Sequence, residues 1–179
     1  QERLGPDVER HPGQIDGAQH AAEAVALLQN DTRRIRQQRP QAVRSGQTTL
    51  AAWERETRAL YAAHADEVAA VIVEPVLQGA GGMHVYSPHA LAVLHELAHE
   101  HGALVIHDEI YSGLGRSGLL LAAGDLRPDL LCLGKALGGG FPLSACLGTS
   151  AAMDAWGAST GEAIHTQTFL GNPVGCAMA

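Results

Sequence analysis

The chain has 179 residues, 46% of them hydrophobic but only 4% aromatic, and a formal net charge of −7. That suffices for one domain with a core of Leu, Val, Ile and Ala, and the acidic balance argues against nucleic acid despite a brief cluster at Arg33, Arg34, Arg36 and Arg39. No apolar run approaches the roughly 20 residues of a membrane helix, and Cys132, Cys146 and Cys176 lack metal-ligand spacing and read as buried thiols in a reducing cytoplasm.

Nothing at the start reads as a secretory signal. The chain begins at Gln1 and stops within a helix start, so a fragment of a longer protein is expected. Residues 1–50 hold one apolar stretch, Ala21 to Leu28, and read otherwise as an unassigned polar segment, poorly ordered from Gln29 to Gln47. Leu50, Trp53, Thr57, Leu60 and Tyr61 recur at helical spacing and predict an amphipathic helix over 49–64. Ala69–Glu74 is an apolar run ending in an acid, as in a buried parallel strand. A Gly-rich loop, Gln78–Gly82, follows.

Ser87 is placed to cap a helix with Pro88 at its first position, Leu91, Leu94, Leu97 and Ala98 as its buried stripe and Gly102 as its stop. Ala103–His107, Leu130–Leu133 and Leu143–Leu147 complete the predicted strands. Strand, helix, strand in this order predicts an α/β fold with a mostly parallel sheet flanked by helices. Polar residues just past the carboxyl ends of such strands are site candidates, and Glu74, Asp108 and Lys135 occupy that position.

Three motifs compete for the chemistry. His95-Glu96-Leu97-Ala98-His99 is a literal HExxH, which on a helix can offer two zinc ligands and a general base. The longer version of that motif would need a third His at 105, where Val105 stands, and both His95 and His99 are expected on the edge of a surface crossover helix. No metal site is therefore expected, and a zinc peptidase is the alternative function. Gly113-Leu114-Gly115-Arg116-Ser117-Gly118 is a literal GxGxxG. Five residues, Asp108 to Ser112, separate it from its strand, and its acids would repel a pyrophosphate.

The third candidate is the pair Asp108 and Lys135. A lysine at a buried strand end is costly unless it is used, and desolvation leaves its amine neutral and nucleophilic. A pyridoxal ring requires such an amine, a carboxylate opposite the pyridine nitrogen, and a phosphate site. In an extended segment Asp108 and Ile110 would point to one side, one toward the nitrogen and one flat on the ring. A Lys–Asp ion pair in a loop cluster is the plainer alternative.

Four segments in order sharpen this choice: Glu74-Pro75-Val76-Leu77-Gln78-Gly79-Ala80-Gly81-Gly82, then His107-Asp108-Glu109-Ile110-Tyr111-Ser112-Gly113-Leu114-Gly115-Arg116-Ser117-Gly118, then Leu133-Gly134-Lys135-Ala136-Leu137-Gly138-Gly139-Gly140, then His165 to Pro173. Over residues 68–179 the chain resembles the class III aminotransferases, the group that includes ornithine, acetylornithine, 4-aminobutyrate and diaminopelargonate aminotransferases. The resemblance implies part of the large domain of a fold type I transferase dependent on pyridoxal 5'-phosphate (PLP), in residues 51–179. It implies amino transfer between an amine or amino acid and a 2-oxo acid through a Schiff base on Lys135. It further implies that Asp108 partners the pyridine nitrogen, that Ile110 packs on the ring, and that Glu74 contributes to substrate binding and gating. Thr168 would reach the cofactor phosphate of a neighbouring subunit, hence a homodimer, and Arg116 would make a structural pairing. Tyr111 stands where many members carry a Gln that bonds the cofactor's phenolic oxygen. The family's N-terminal phosphate loop and C-terminal domain have no counterpart here, so the isolated fragment is expected to be catalytically incomplete. The family also contains aminomutases and a decarboxylating member.

Overall fold

The structure, a computed structural model, describes residues 49–80, 82–154 and 170–179. The expectations for the polar amino-terminal segment up to residue 48, for its arginine cluster, and for Thr168 lie outside the described residues.

Helix α1 (Leu50–His64) starts where Thr49 Oγ1 accepts the Ala52 N–H at 3.2 Å, satisfying one of the amide donors a helix start leaves free. A 3₁₀ turn (Ala65–Glu67) leads to strand β1 (Ala70–Val73). The Gly-rich segment is more than a loop. It is flanked by two short strands, β2 (Leu77–Gln78) and β3 (His84–Val85), paired antiparallel as a small ribbon. Helix α2 (Pro88–Glu100) is capped by Ser87, whose Oγ accepts the His89 N–H at 3.2 Å. It ends where Gly102 adopts φ +70°, a left-handed turn that only glycine takes without penalty. Strand β4 (Leu104–Asp108), strand β5 (Leu130–Leu133), a 3₁₀ turn (Lys135–Gly138) and strand β6 (Ala145–Gly148) follow. Two short helices, α3 (Ser150–Met153) and α4 (Pro173–Met178), complete the described elements.

The main sheet has the order β1-β4-β5-β6. Strands β1, β4 and β5 are parallel, so their carboxyl ends share one edge. Strand β6 runs antiparallel to β5. The connection, residues 134–144, holds no helix beyond the 3₁₀ turn, whereas a parallel return needs a crossover of a dozen or more residues, usually a helix.

Helices α1 and α2 cover one face of this sheet. Trp53 and Tyr61 from α1 pack with Ala90, Val93 and Leu97 from α2, and Val71 of β1 lies against them. Ala98, Ala103 and Val105 continue the contact. Along β4, Val105 and His107 face the helices and are buried, while Leu104, Ile106 and Asp108 face the other way and are half-buried. The predicted stripe on α2 is corrected in two places. Leu94 is only partly buried, and His95, expected at the edge, is 6% exposed and part of the interior. The cysteines are corrected too: Cys132 is half-buried, whereas Cys146 and Cys176 are exposed.

Candidate functional site

The shared carboxyl edge gathers the residues singled out by sequence. Glu74 follows β1 directly, Asp108 is the last residue of β4, and Lys135 lies just past Gly134 at the end of β5. Register places Asp108 opposite Cys132, so the carboxylate and the strand leading to Lys135 are immediate neighbours.

Asp108 is fixed locally: its Oδ1 accepts the Ile110 N–H at 3.2 Å. The extended alternation expected for Asp108 and Ile110 does not persist, because the chain enters turns at Ile110. Ile110 instead packs on the backbone of Gly134, where its Cγ2 stands 3.2 Å from the position a Cβ would take. Glycine at 134 thus lets the Asp108 and Lys135 segments approach closely. Lys135 departs from the expected burial, since its side chain is exposed. Its backbone sits at φ +44°, a left-handed conformation that costs a non-glycine residue roughly 1–2 kcal/mol. Strain of this kind concentrates at functional positions.

Tyr111 is the hub of the edge. Lys135 Nζ lies 5.1 Å from its ring centroid and Arg116 Cζ lies 5.7 Å from it, both within cation–π range. The pairing expected of Arg116 is therefore made to an aromatic face. The Tyr111 ring also stands 3.1 Å from the point where a Cβ on Gly79 would sit, and Glu74 Oε2 is 3.3 Å from that point. Glu74 Oε2 accepts the Gly79 N–H at 2.8 Å, and the Tyr86 hydroxyl donates to the Glu74 carbonyl at 2.5 Å. Glu74, the Gly79 loop, Tyr111, Arg116 and Lys135 are thereby linked along one surface, with Asp108 and Ile110 beside them.

Two supporting residues were not singled out by sequence. Glu109 is 1% exposed, and its carboxylate accepts the Ser112 hydroxyl at 2.7 Å and the Ala123 N–H at 3.0 Å. It holds the 110–123 segment that carries Tyr111 and Arg116. The apparent dinucleotide motif belongs to that segment, where residues 110–117 form successive turns and no helix begins. His107 is also 1% exposed, and its Nε2 meets His95 Nε2 at 2.5 Å, one ring donating and the other accepting. Burial, reinforced by the charge of His95, pushes the His107 ring down to about 4. Burial first, then His99, lowers His95 as well, against the pull of Asp129. An acid adjoining a His on a strand and a His on a helix reading as surface are ordinary in sequence; only their long-range pairing reveals the role.

The same pairing reassigns the HExxH residues. His95 Nε2 is committed to His107, His99 Nε2 faces Asp129 Oδ2 at 3.5 Å, and Glu96 is bound to Arg58 at 2.9 Å. The acid that a peptidase would aim at its water points to another helix. Among the described residues there is no group of three or more His, Cys, Asp or Glu placed to hold a metal ion.

The chain matches the family described as aminotransferase class-III over residues 16–179. It is 43% identical over 122 residues to the adenosylmethionine-8-amino-7-oxononanoate aminotransferase of Mycobacterium leprae, covering 66% of this chain and 28% of that protein. Among solved structures it is similar to the acetylornithine aminotransferase of Elizabethkingia anophelis, with TM-score 0.62, 38% identity and coverage of 70% of this chain and 31% of that one. It is also similar to the ornithine aminotransferase of Toxoplasma gondii, a structure with partial occupancy of PLP at its active site. That match has TM-score 0.58, 41% identity and coverage of 68% of this chain and 28% of that one. The chain thus spans less than a third of the length of these relatives.

Proposed function

This chain belongs to the class-III aminotransferase family, and on that premise we propose that the complete protein is a PLP-dependent transaminase moving an amino group between an amine or amino acid and a 2-oxo acid. The observation that carries the reading is the placement of Asp108 and Lys135 at the carboxyl ends of adjacent parallel strands, β4 and β5. A fact of composition adds to it: of the twelve Lys and Arg residues, eleven are Arg and Lys135 is the single lysine. Within these 179 residues the one primary side-chain amine stands at that edge.

The donor set fits the ring of the cofactor. An amine suits the aldehyde carbon, a carboxylate the pyridine nitrogen, a phenol the ring hydroxyl, and an aliphatic side chain the flat face. When bound, PLP supplies an electron sink for the pair left on a substrate carbon after deprotonation. Lys135 Nζ would anchor the cofactor and, once displaced by the substrate amine, carry the proton between carbon atoms. Asp108 would keep a proton on the ring nitrogen, and Ile110 would hold the ring plane. Tyr111, whose ring already faces Lys135, would donate to the ring oxygen. Glu74 would contribute to substrate binding by pairing with a substrate-binding arginine of the complete protein, gating the two half-reactions.

Residues 51–179 are assigned to the large, PLP-binding domain. Thr168 is assigned to the cofactor phosphate of a second subunit, which makes the complete enzyme a homodimer, and we place it in the cytoplasm. Among the described residues no helix is long and apolar enough to cross a membrane.

The test is to mix the complete protein with PLP, record the visible absorbance, reduce with borohydride and map the peptides. A stable pyridoxyl mass on the Lys135 peptide is expected. Labelling confined to other amines, or none, would overturn the assignment.

A further inference from the structure

Asp108, Cys132 and Cys146 lie in register across β4, β5 and β6. Residues in register share a face of a pleated sheet, so a carboxylate and two thiols form a row on the face turned away from α2. The backbone fixes how closely the cysteines approach. The Cys132 carbonyl accepts the Glu109 N–H at 3.0 Å, so Cys132 directs its backbone polar groups to the β4 side. The Thr149 N–H donates to the Asp129 carbonyl at 2.9 Å, which puts the positions facing β6 at 129, 131 and 133. Cys132 and Cys146 are therefore a non-hydrogen-bonded antiparallel pair, the kind with Cα atoms about 4.5 Å apart and side chains closest. That spacing lies within the roughly 4.4–6.8 Å that a disulfide spans. Cys146 is close enough to oppose ionisation of the Cys132 thiol.

We propose that Cys132 and Cys146 form a reversible thiol–disulfide pair, oxidised by a small-molecule disulfide, that clamps β6 to β5 at the strand end carrying Lys135. Cys146 is the exposed member and reacts first. Its thiolate attacks one sulfur of the reagent, forming a mixed disulfide and releasing one thiol. Cys132 then loses its proton and attacks the Cys146 sulfur, expelling the second thiol. The protein gives up two electrons and two protons, and the reagent becomes two thiols. Burial, then the charge and hydrogen bond of Cys146 and the charge of Asp108, push the Cys132 thiol up to about 11. Once Cys146 is in the mixed disulfide, burial and the charge of Asp108 still oppose ionisation of Cys132, so the second step quickens as pH rises.

The experiment incubates the full chain with oxidised glutathione, denatures it, counts thiols and maps the linkages by mass spectrometry. The expected result is loss of two of the three thiols, a Cys132–Cys146 cross-link, and full recovery with dithiothreitol. Ring closure after the first glutathionylation should speed up on the order of tenfold per pH unit between neutrality and pH 9. Cys176→Ser should leave the cross-link unchanged, and Cys146→Ser or Cys146→Ala, at an exposed site, should abolish it. Glutathione retained on Cys146 with Cys132 free, or a cross-link to Cys176, would overturn the proposal.

Discussion

The two sides of the sheet are built on opposite terms. On the helix side, Trp53, Leu91, Val93, Leu97, Val105 and His107 are each 3% exposed or less, and even the polar His107 has its partner in place. At the carboxyl edge, Lys135 is exposed, its backbone is left-handed, and Arg116 and Lys135 crowd one tyrosine ring. The first side is closely packed, and its buried histidines are paired; the second carries a strained backbone and two cations on one ring. Stability comes from the regular side, and the irregular edge is where reactive groups can be presented.

Substitutions separate the two. Removing Lys135 from the complete enzyme, as Lys135→Ala, should reduce transamination to background while leaving the melting temperature no lower than wild type. Asp108→Asn should keep part of the cofactor binding but cost on the order of 10³-fold in turnover, about 4 kcal/mol of transition-state stabilisation. Near-wild-type turnover in the lysine variant would remove the site altogether. Retained turnover in the aspartate variant would remove only the ring partner.

On the packed side the expected effects are on folding. Leu97→Ala, at a position 2% exposed, should lower stability by about 3 kcal/mol in urea denaturation, through lost burial and an unfilled cavity. A change under 1 kcal/mol would mean that α2 is not the keystone of this face.

The buried histidines predict a pH dependence of known sign. The His107 ring, ordinarily near 6.5, is pushed down to about 4, chiefly by burial. Above pH 6.5 it is neutral whether the chain is folded or unfolded. As pH falls from 6.5 toward 4, the unfolded chain takes up a proton that the folded chain refuses, so stability is lost in that window. For His107 alone the loss should reach roughly 2 kcal/mol by pH 5, and His107→Leu should flatten the profile there. Equal slopes in both proteins would show that the pair is not suppressing protonation. The smallest effect is at the helix start. Ser87→Ala removes the cap on His89 and should cost about 1 kcal/mol by thermal melting, with no change in cofactor binding.

Local pattern exposed much of the packed side. Helix α1 lies within the span expected for it, α2 begins at its anticipated cap, and Leu130–Leu133 is the strand expected. The edge was legible as a set of positions, because parallel strands ending in Asp108 and before Lys135 must share one end. Long-range pairing was not legible. Nothing near His95 announces His107 as its partner, and the β2–β3 ribbon is too short for any alternation to show. The direction of β6 depends on what the chain does between Gly134 and Ser144, where turn geometry decides and hydrophobic period is silent. The exposure of Lys135 likewise follows from its backbone angle, which residue type alone does not dictate.

That backbone angle bears on how this sequence would drift under artificial selection. Screened for heat resistance alone, a library randomised at position 135 should favour glycine, followed by asparagine, since both relax a left-handed residue that lysine holds at a cost. The survivors would be sturdier and would lack the amine proposed to anchor the cofactor. Enrichment of lysine in such a screen, with no activity required, would mean that the angle is not a burden on the fold.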